Sequence, residues 1–185
     1  MANKTYIYNS NVNIMEDIIT LTAIERLSYA LQLRILEKLS PDDDTLKNLK
    51  TAIEEGYTIH YQDLFEILSN ELSLEDCRFV LDVLEMYRGL IFSALQINET
   101  DIVNKVKFRG FDFNDNLEAR MASYARYFVF DLRRYDEIKT NSNGDFSSHM
   151  IMQNKYQRML SIWKEYEYMV RYHLSKEQIE SILNA

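Results

Sequence analysis

The segment from Ser73 to Ile97 constrains the fold more than any other part of this sequence. Its charged side chains end at Arg88, and none occurs between Gly89 and Ile97. Ser73 and Asp76 have the spacing of a helix N-terminal cap. A helix that is apolar on nearly every side is covered by neighbours on most of its circumference. The segment therefore predicts a buried central helix at about 74–97.

Residues that favour turns are scarce in the chain as a whole. Its 185 residues include four Gly and one Pro, too few for the many turns of an all-β fold. The length suits one domain. We therefore predict a mainly α, single-domain multi-helix bundle. At most a minor short β element is expected, at 57–61 and 105–109, where apolar and polar side chains alternate.

The sequence before Thr22 is weakly patterned, and we assign 1–21 to an N-terminal arm or extension and 22–185 to the helical domain. The first predicted helix carries one apolar stripe at three- and four-residue spacing: Ile24, Leu27, Leu31, Ile35 and Leu39. Ser40 and Pro41 are suited to begin the next helix. Further helices are predicted at 42–55 and 63–69, from Asp115, at about 150–168 and after Ser175, with a loop at 139–148.

Several stretches after Gly56 carry a resemblance to a known family. They are Glu75-Asp76-Cys77-Arg78 through Leu84-Glu85-Met86-Tyr87, Phe108-Arg109-Gly110-Phe111-Asp112 with Glu118-Ala119-Arg120, Lys155-Tyr156-Gln157-Arg158-Met159-Leu160 with Trp163, and Tyr172-His173-Leu174-Ser175. Through them the chain resembles the YfbU-like family of bacterial proteins. The resemblance implies a helical, cytoplasmic, bacterial domain, and it supplies no catalytic residue to carry over.

The net charge and the cysteine content limit the classes of binding partner and the cellular compartment that we expect for this protein. The net charge is −8, with 29 acidic and 21 basic residues, and an acidic surface disfavours nucleic acid and anionic membranes. The single cysteine, Cys77, excludes an intrachain disulfide and suits a reducing compartment. The N-terminal sequence lacks a secretory pattern, and no apolar run is long enough to span a bilayer. We expect a cytoplasmic protein with no membrane partner.

The most notable group of charged residues surrounds the turn at Gly110. It consists of Arg109, Asp112, Glu118 and Arg120. These side chains either line a pocket or brace the turn through ion pairs, and bracing is the more common arrangement for local charge clusters. The three histidines have no metal-ligand spacing, and no catalytic motif is present. We therefore assign no catalytic residue, metal or cofactor.

Thirteen tyrosines are many for this length, and tyrosine suits half-buried interface positions. The apolar patterning leaves four of them less constrained than the others: Tyr127, Tyr166, Tyr168 and Tyr172. We predict that these four contribute to a contact between subunits, although packing inside the domain is an alternative for each.

Three classes of function remain open at this point. The first is a non-enzymatic, self-associating protein-interaction module. The second is a winged-helix-like nucleic-acid-binding regulator, in which the long helix would enter the major groove and 105–109 would form a wing. The acidic start of that helix opposes this alternative. The third is a metal-dependent hydrolase or nuclease that uses Asp112 and Glu118, and we rank it last.

Overall fold

The computed structural model describes residues 19–140, 142 and 144–185. Its contacts divide the chain into two compact units, one ending at Asn70 and the other running from Glu71 to Ala185. The first unit contains α1 (Ala23–Leu39), α2 (Asp44–Glu55) and a 3-10 helix (Thr58–Leu64). The second contains α3 (Leu74–Ile97), α4 (Thr100–Lys105), α5 (Asn116–Arg126), a π-helical segment (Tyr127–Asp131), α6 (Asp136–Thr140), α7 (Gln153–Glu165), a 3-10 turn (Val170–Tyr172) and α8 (Lys176–Leu183). The predicted mainly α fold is confirmed.

Helix α3 is the centre of the second unit, as the sequence predicted. Ten of its residues are buried, among them Val83, Leu84 and Leu90, and α5, α6, α7 and α8 all contact it. Phe108, Phe111 and Tyr156 add a buried aromatic cluster against Tyr87 of α3. Among the described residues, no helix is both long and apolar enough to cross a membrane.

Local capping explains where most of the helices begin. The Ser73 hydroxyl accepts a hydrogen bond from Asp76 N at 3.0 Å and starts α3, and Ser175 starts α8 in a capping box with Gln178. The predicted cap of α2 was wrong. Ser40 closes α1 instead, donating its backbone N–H to Leu36 O, and Asp43 caps α2. The aspartate carboxylate is the stronger acceptor for the free N–H groups of a first turn.

The two segments predicted as strands adopt other conformations. Thr58–Leu64 is a 3-10 helix rather than a strand at 57–61, and the predicted helix at 63–69 has only its first residues in helical conformation. The segment 105–109 begins in the last residue of α4 and makes one isolated bridge, between Phe108 and Ser142. Both segments lack a neighbouring strand among the described residues, and a strand needs a partner for its backbone groups.

The first unit is formed by α1 packed against α2. Its buried cluster consists of Ala30, Leu33, Ile53 and Tyr61. The Arg26 guanidinium extends across to the end of α2 and donates hydrogen bonds to the carbonyl oxygens of Ile53 and Glu54, both at 3.0 Å from Nη2. These bonds satisfy carbonyl groups that the last turn of a helix leaves free. The predicted arm lies outside the described residues up to position 18.

Candidate functional site

The predicted charge cluster around Gly110 divides into an internal part and an external part. Glu118 and Asp112 are buried, whereas Arg120 is half-buried on α5 and Arg109 is exposed. Gly110 has a positive φ of 82° and lies directly against the backbone of Phe146. The four residues therefore do not line one common pocket.

Glu118 connects three separate segments of the second unit. Its carboxylate accepts hydrogen bonds from the backbone N–H groups of Asp112 at 2.8 Å, Met152 at 2.8 Å and Gln153 at 2.6 Å. Met152 and Gln153 form the start of α7, which has no side-chain cap of its own. An anion at this end of a helix is favoured by the helix dipole and by the free N–H groups. Glu118 thus holds the turn through hydrogen bonds to backbone N–H groups rather than through the predicted ion pairs.

Asp112 is also used in local structure. Its Oδ1 accepts hydrogen bonds from the backbone N–H and from the side-chain amide of Asn114, at 3.0 and 2.9 Å. This is a turn in which an aspartate bonds two residues ahead. Because the oxygens of Glu118 and Oδ1 of Asp112 already accept hydrogen bonds from this chain, the pair does not resemble an open catalytic site.

The four predicted interface tyrosines have different environments. Tyr168 and Tyr127 are exposed, at 63% and 47%, and Tyr166 is half-buried against the core. The Tyr172 ring meets the edge of Tyr168, and its hydroxyl donates to the Glu85 carboxylate. Burial raises the pKa of Tyr172 above its usual value, and the hydrogen bond to Glu85 raises it further. Tyr166 and Tyr172 therefore pack within the chain, and the predicted subunit contact through these tyrosines stays a prediction.

A row of exposed apolar side chains lies on α1, where the sequence alone assigned no role to the apolar stripe. Its six exposed side chains are Ile24 (80%), Leu27 (62%), Leu31 (50%), Ile35 (61%), Leu36 (44%) and Leu39 (74%). A stripe of this kind on a surface helix normally faces a core. Here α1 has its other side on α2, and no described residue of the first unit covers the apolar stripe.

Polar contacts hold α1 in this orientation. Lys50 of α2 pairs with Glu37 at 2.6 Å, and Arg34 pairs with Glu54 at 2.7 Å. Together with the Arg26 bonds to α2, they fix which side of α1 faces its neighbour. We call the surface formed by Ile24, Leu27, Leu31, Ile35 and Leu39 the α1 apolar face, and Leu36 lies outside it, about 120° around the helix from the centre of the stripe. The sequence revealed its periodicity, but only the position of α2 reveals that it is exposed.

Fold and surface together define a mainly α-helical protein with a core centred on α3 in its second unit and an exposed apolar helix face in its first. The model of the YfbU domain matches residues 19–185, and the chain belongs to the YfbU family. It is similar to the UPF0304 protein MJECS11 of Methanocaldococcus jannaschii, with 34% identity over 174 residues that cover 89% of this chain and 99% of that protein. The predicted membership is confirmed, and a bacterial origin stays a prediction.

Proposed function

We propose that this protein is a non-enzymatic, self-associating interaction module in which the α1 apolar face packs against the same face of a second copy. The observation that carries the proposal is the exposure of the five Leu and Ile side chains of this face along one 17-residue helix. Contiguous apolar patches of this kind mark interaction sites on soluble proteins.

The spacing of the stripe favours a second copy as the occupant. Leu31 lies four residues from both Leu27 and Ile35, seven from Ile24 and eight from Leu39. An antiparallel pair related by a two-fold axis at Leu31 would therefore place Leu27 beside Ile35 of the other copy, and Ile24 beside Leu39. Two-fold interfaces need such self-complementary patches.

Burial of the α1 apolar face would release enough free energy to offset the cost of association. Fully burying a Leu or Ile side chain contributes about 1.5–3 kcal/mol. The ten partly exposed side chains of two α1 apolar faces would contribute roughly 10–20 kcal/mol. Association costs about 4–15 kcal/mol in lost rigid-body freedom. The gross gain is therefore comparable to the cost or exceeds it, so a dimer is energetically reasonable.

The family comparison bears on a competing occupant, the N-terminal arm. The matched domain begins at residue 19 and includes the whole of α1, but it does not include residues 1–18. The family domain therefore carries the α1 apolar face without carrying the arm, so the arm is not the partner that the domain as a family feature would use. This supports a second copy over the arm.

Light scattering after size exclusion tests the proposal with a matched pair of variants. We expect the wild type to be a dimer at micromolar concentration and Leu31→Glu to be a monomer with unchanged helix content. Leu95→Glu, on α3, is the control, because Leu95 is exposed to 54% and Leu31 to 50%. A monomeric wild type, or a Leu31→Glu variant that remains dimeric, would contradict the proposal.

Cysteine cross-linking tests the antiparallel geometry. Cys77 is the only cysteine, so Cys77→Ser gives a background without thiols. Leu31→Cys lies on the expected axis and should form a disulfide between copies. Ile24→Cys alone should not, because seven residues of helix on each side of the axis separate the two sulfurs by about 20 Å. Cross-linking through Ile24→Cys alone would indicate a parallel arrangement instead.

A further inference from the structure

A cavity of about 590 Å³ lies in the second unit beside the Gly110 turn. Its lining comes from the segment 104–109, the loop 147–149, α3, α7 and the C-terminal part of α8. Its charged members are Lys105, Lys107, Arg109 and Lys155, and His149 and Tyr87 are also titratable. No Asp or Glu belongs to its described lining, although the whole chain carries 29 acidic and 21 basic residues. The cavity is therefore a local concentration of positive charge on an acidic protein.

Most of this charge is not neutralised by the chain itself. Lys105 pairs with Glu180 at 2.8 Å. For Lys107, Arg109 and Lys155, no ion pair with an acidic side chain is found within the part of the chain that the structure describes. Three cations that converge on one concave site repel each other, and an anion bound there would relieve that repulsion.

The fold explains why these cations share one site. Val106, Phe108 and Gly110 are buried, so the alternate residues Lys107 and Arg109 are directed outward. Phe111 N donates to Phe146 O at 3.0 Å, and Ser148 N donates to Phe111 O at 3.0 Å, which fixes the 147–149 loop beside this segment. Lys155 lies in the first turn of α7, whose start is held by Glu118. The cations therefore project from backbone that is anchored rather than free.

Hydroxyl groups complete the lining. Ser147 is 5% exposed and Tyr87 is 3% exposed, and both contribute to the cavity wall together with Ser148. Burial raises the pKa of Tyr87 to about 12, so its hydroxyl keeps its proton at neutral pH. Arg109 and Lys155 also line an adjoining cavity of about 280 Å³. The Ser148 hydroxyl donates to Met150 O at 2.6 Å and the Tyr87 hydroxyl is hydrogen-bonded to Tyr156, so the Arg and Lys side chains are the groups left to hold phosphate oxygens.

We infer that this cavity binds a small phosphate-bearing anion, with Arg109 and Lys155 as its principal charge contacts and Lys107 as a third. A volume of about 590 Å³ falls within the range of about 300–1,000 Å³ that is common for small-molecule sites. The net charge of −8 opposes a long polyanion such as nucleic acid, whose backbone would extend over the acidic surface. A ligand of the size of a mononucleotide fits the site better.

Isothermal titration calorimetry of the full-length protein with pyrophosphate and with AMP, at low ionic strength, tests the inference. We expect saturable binding by the wild type. Arg109→Gln and Lys155→Gln should each weaken that binding about tenfold or more, because each removes a charge-assisted contact. Arg134→Gln removes the same charge from an exposed position that does not line the cavity, and it should bind like the wild type.

Three results would overturn the inference. The first is a wild-type protein that binds neither probe at millimolar concentration. The second is equal weakening by Arg134→Gln and by the two cavity variants, because that would reveal attraction without a site. The third is a single-stranded oligonucleotide that binds more tightly than both small anions and loses affinity in the same two variants. Circular dichroism of each variant shows whether the fold is retained, and if one cavity variant fails to fold, the other still tests the site.

Discussion

At the residue scale, the Glu118 carboxylate joins three separate segments of the second unit. It is 1% exposed and accepts hydrogen bonds from backbone N–H groups that lie six, 34 and 35 positions away in the sequence. A glutamine there would direct its amide N–H₂ at backbone donors, and a buried donor left without an acceptor costs about 1–3 kcal/mol. The carboxylate can therefore accept hydrogen bonds from all three backbone N–H groups, which the glutamine amide cannot do.

We predict that Glu118→Gln lowers the free energy of unfolding by about 3 kcal/mol. The only tryptophan, Trp163, is buried in the same core, so its fluorescence during urea denaturation follows this unit directly. Glu165→Gln makes the same change in charge at an exposed position on α7 and should have almost no effect. Equal midpoints for the two variants would show that the Glu118 bonds do not stabilise the fold.

The sequence predicted part of this arrangement. Asp112 and Glu118 are six residues apart and flank a turn, so their proximity followed from the sequence alone. It could not show that Glu118 would cap α7, because Met152 lies 34 residues further along and shares no local pattern with it. Nor could it show that Arg109 would be exposed while Glu118 is buried. That depends on the burial of Phe108, which packs in a cluster with Phe146 and Tyr156.

At the scale of elements, the turn at Gly110 and the loop at Gly144 provide a matched comparison. Both glycines have positive φ, +82° and +85°. A Cβ at Gly110 would lie 1.8 Å from Phe146 O, whereas one at Gly144 would meet nothing within 4 Å. Both alanine variants incur the cost of a left-handed residue, about 1–2 kcal/mol. Only Gly110→Ala also forces the two segments apart.

We therefore predict that Gly110→Ala destabilises the protein by about 1–3 kcal/mol more than Gly144→Ala does. Urea denaturation of both variants, followed by Trp163 fluorescence, measures the difference. The Gly110 change should also weaken anion binding in the cavity, because Arg109 lies next to the displaced backbone. Identical stabilities would mean that the Phe146 backbone moves away at little cost.

Helices with caps were the elements that the sequence predicted best. Ser73, Asp115 and Ser175 each begin a helix as predicted, since a cap is a local interaction between neighbours in the sequence. The segment 57–61 was predicted wrongly for the opposite reason. A segment with alternating apolar and polar residues forms a strand only where another strand lies beside it. The local sequence does not show whether such a neighbour exists.

At the scale of the whole molecule, the two units differ in the size of their cores. Among the described residues, the buried cluster of the first unit has four members, while that of the second has 26. Small cores leave little stability after the entropy of ordering the chain is subtracted. The scarcity of Gly and Pro predicted that both units are helical. The amino-acid composition does not indicate which face of a helix is buried by its neighbours.

If α1 packs against a second copy, dimer formation buries apolar side chains of the first unit in addition to the four of its own small cluster. Ligands that bind only the folded state stabilise it in proportion to the logarithm of their concentration, and a second copy acts in the same way. We therefore expect hydrogen exchange in α1 to slow as the protein concentration rises from about 0.1 to 100 times the dissociation constant of the dimer. Exchange in α3, which is enclosed by its own unit, should stay constant over that range.

Mass spectrometry of deuterated peptides from α1 and α3 distinguishes this behaviour from general crowding. In Leu31→Glu, the protection of α1 should be low at every concentration, whereas Leu95→Glu should follow the wild type, since Leu95 lies outside the α1 apolar face. Protection of α1 that is high and independent of concentration in the wild type would mean that its apolar face is covered within one chain. In that case the first unit would be stabilised without a partner, and self-association through α1 would have to be abandoned.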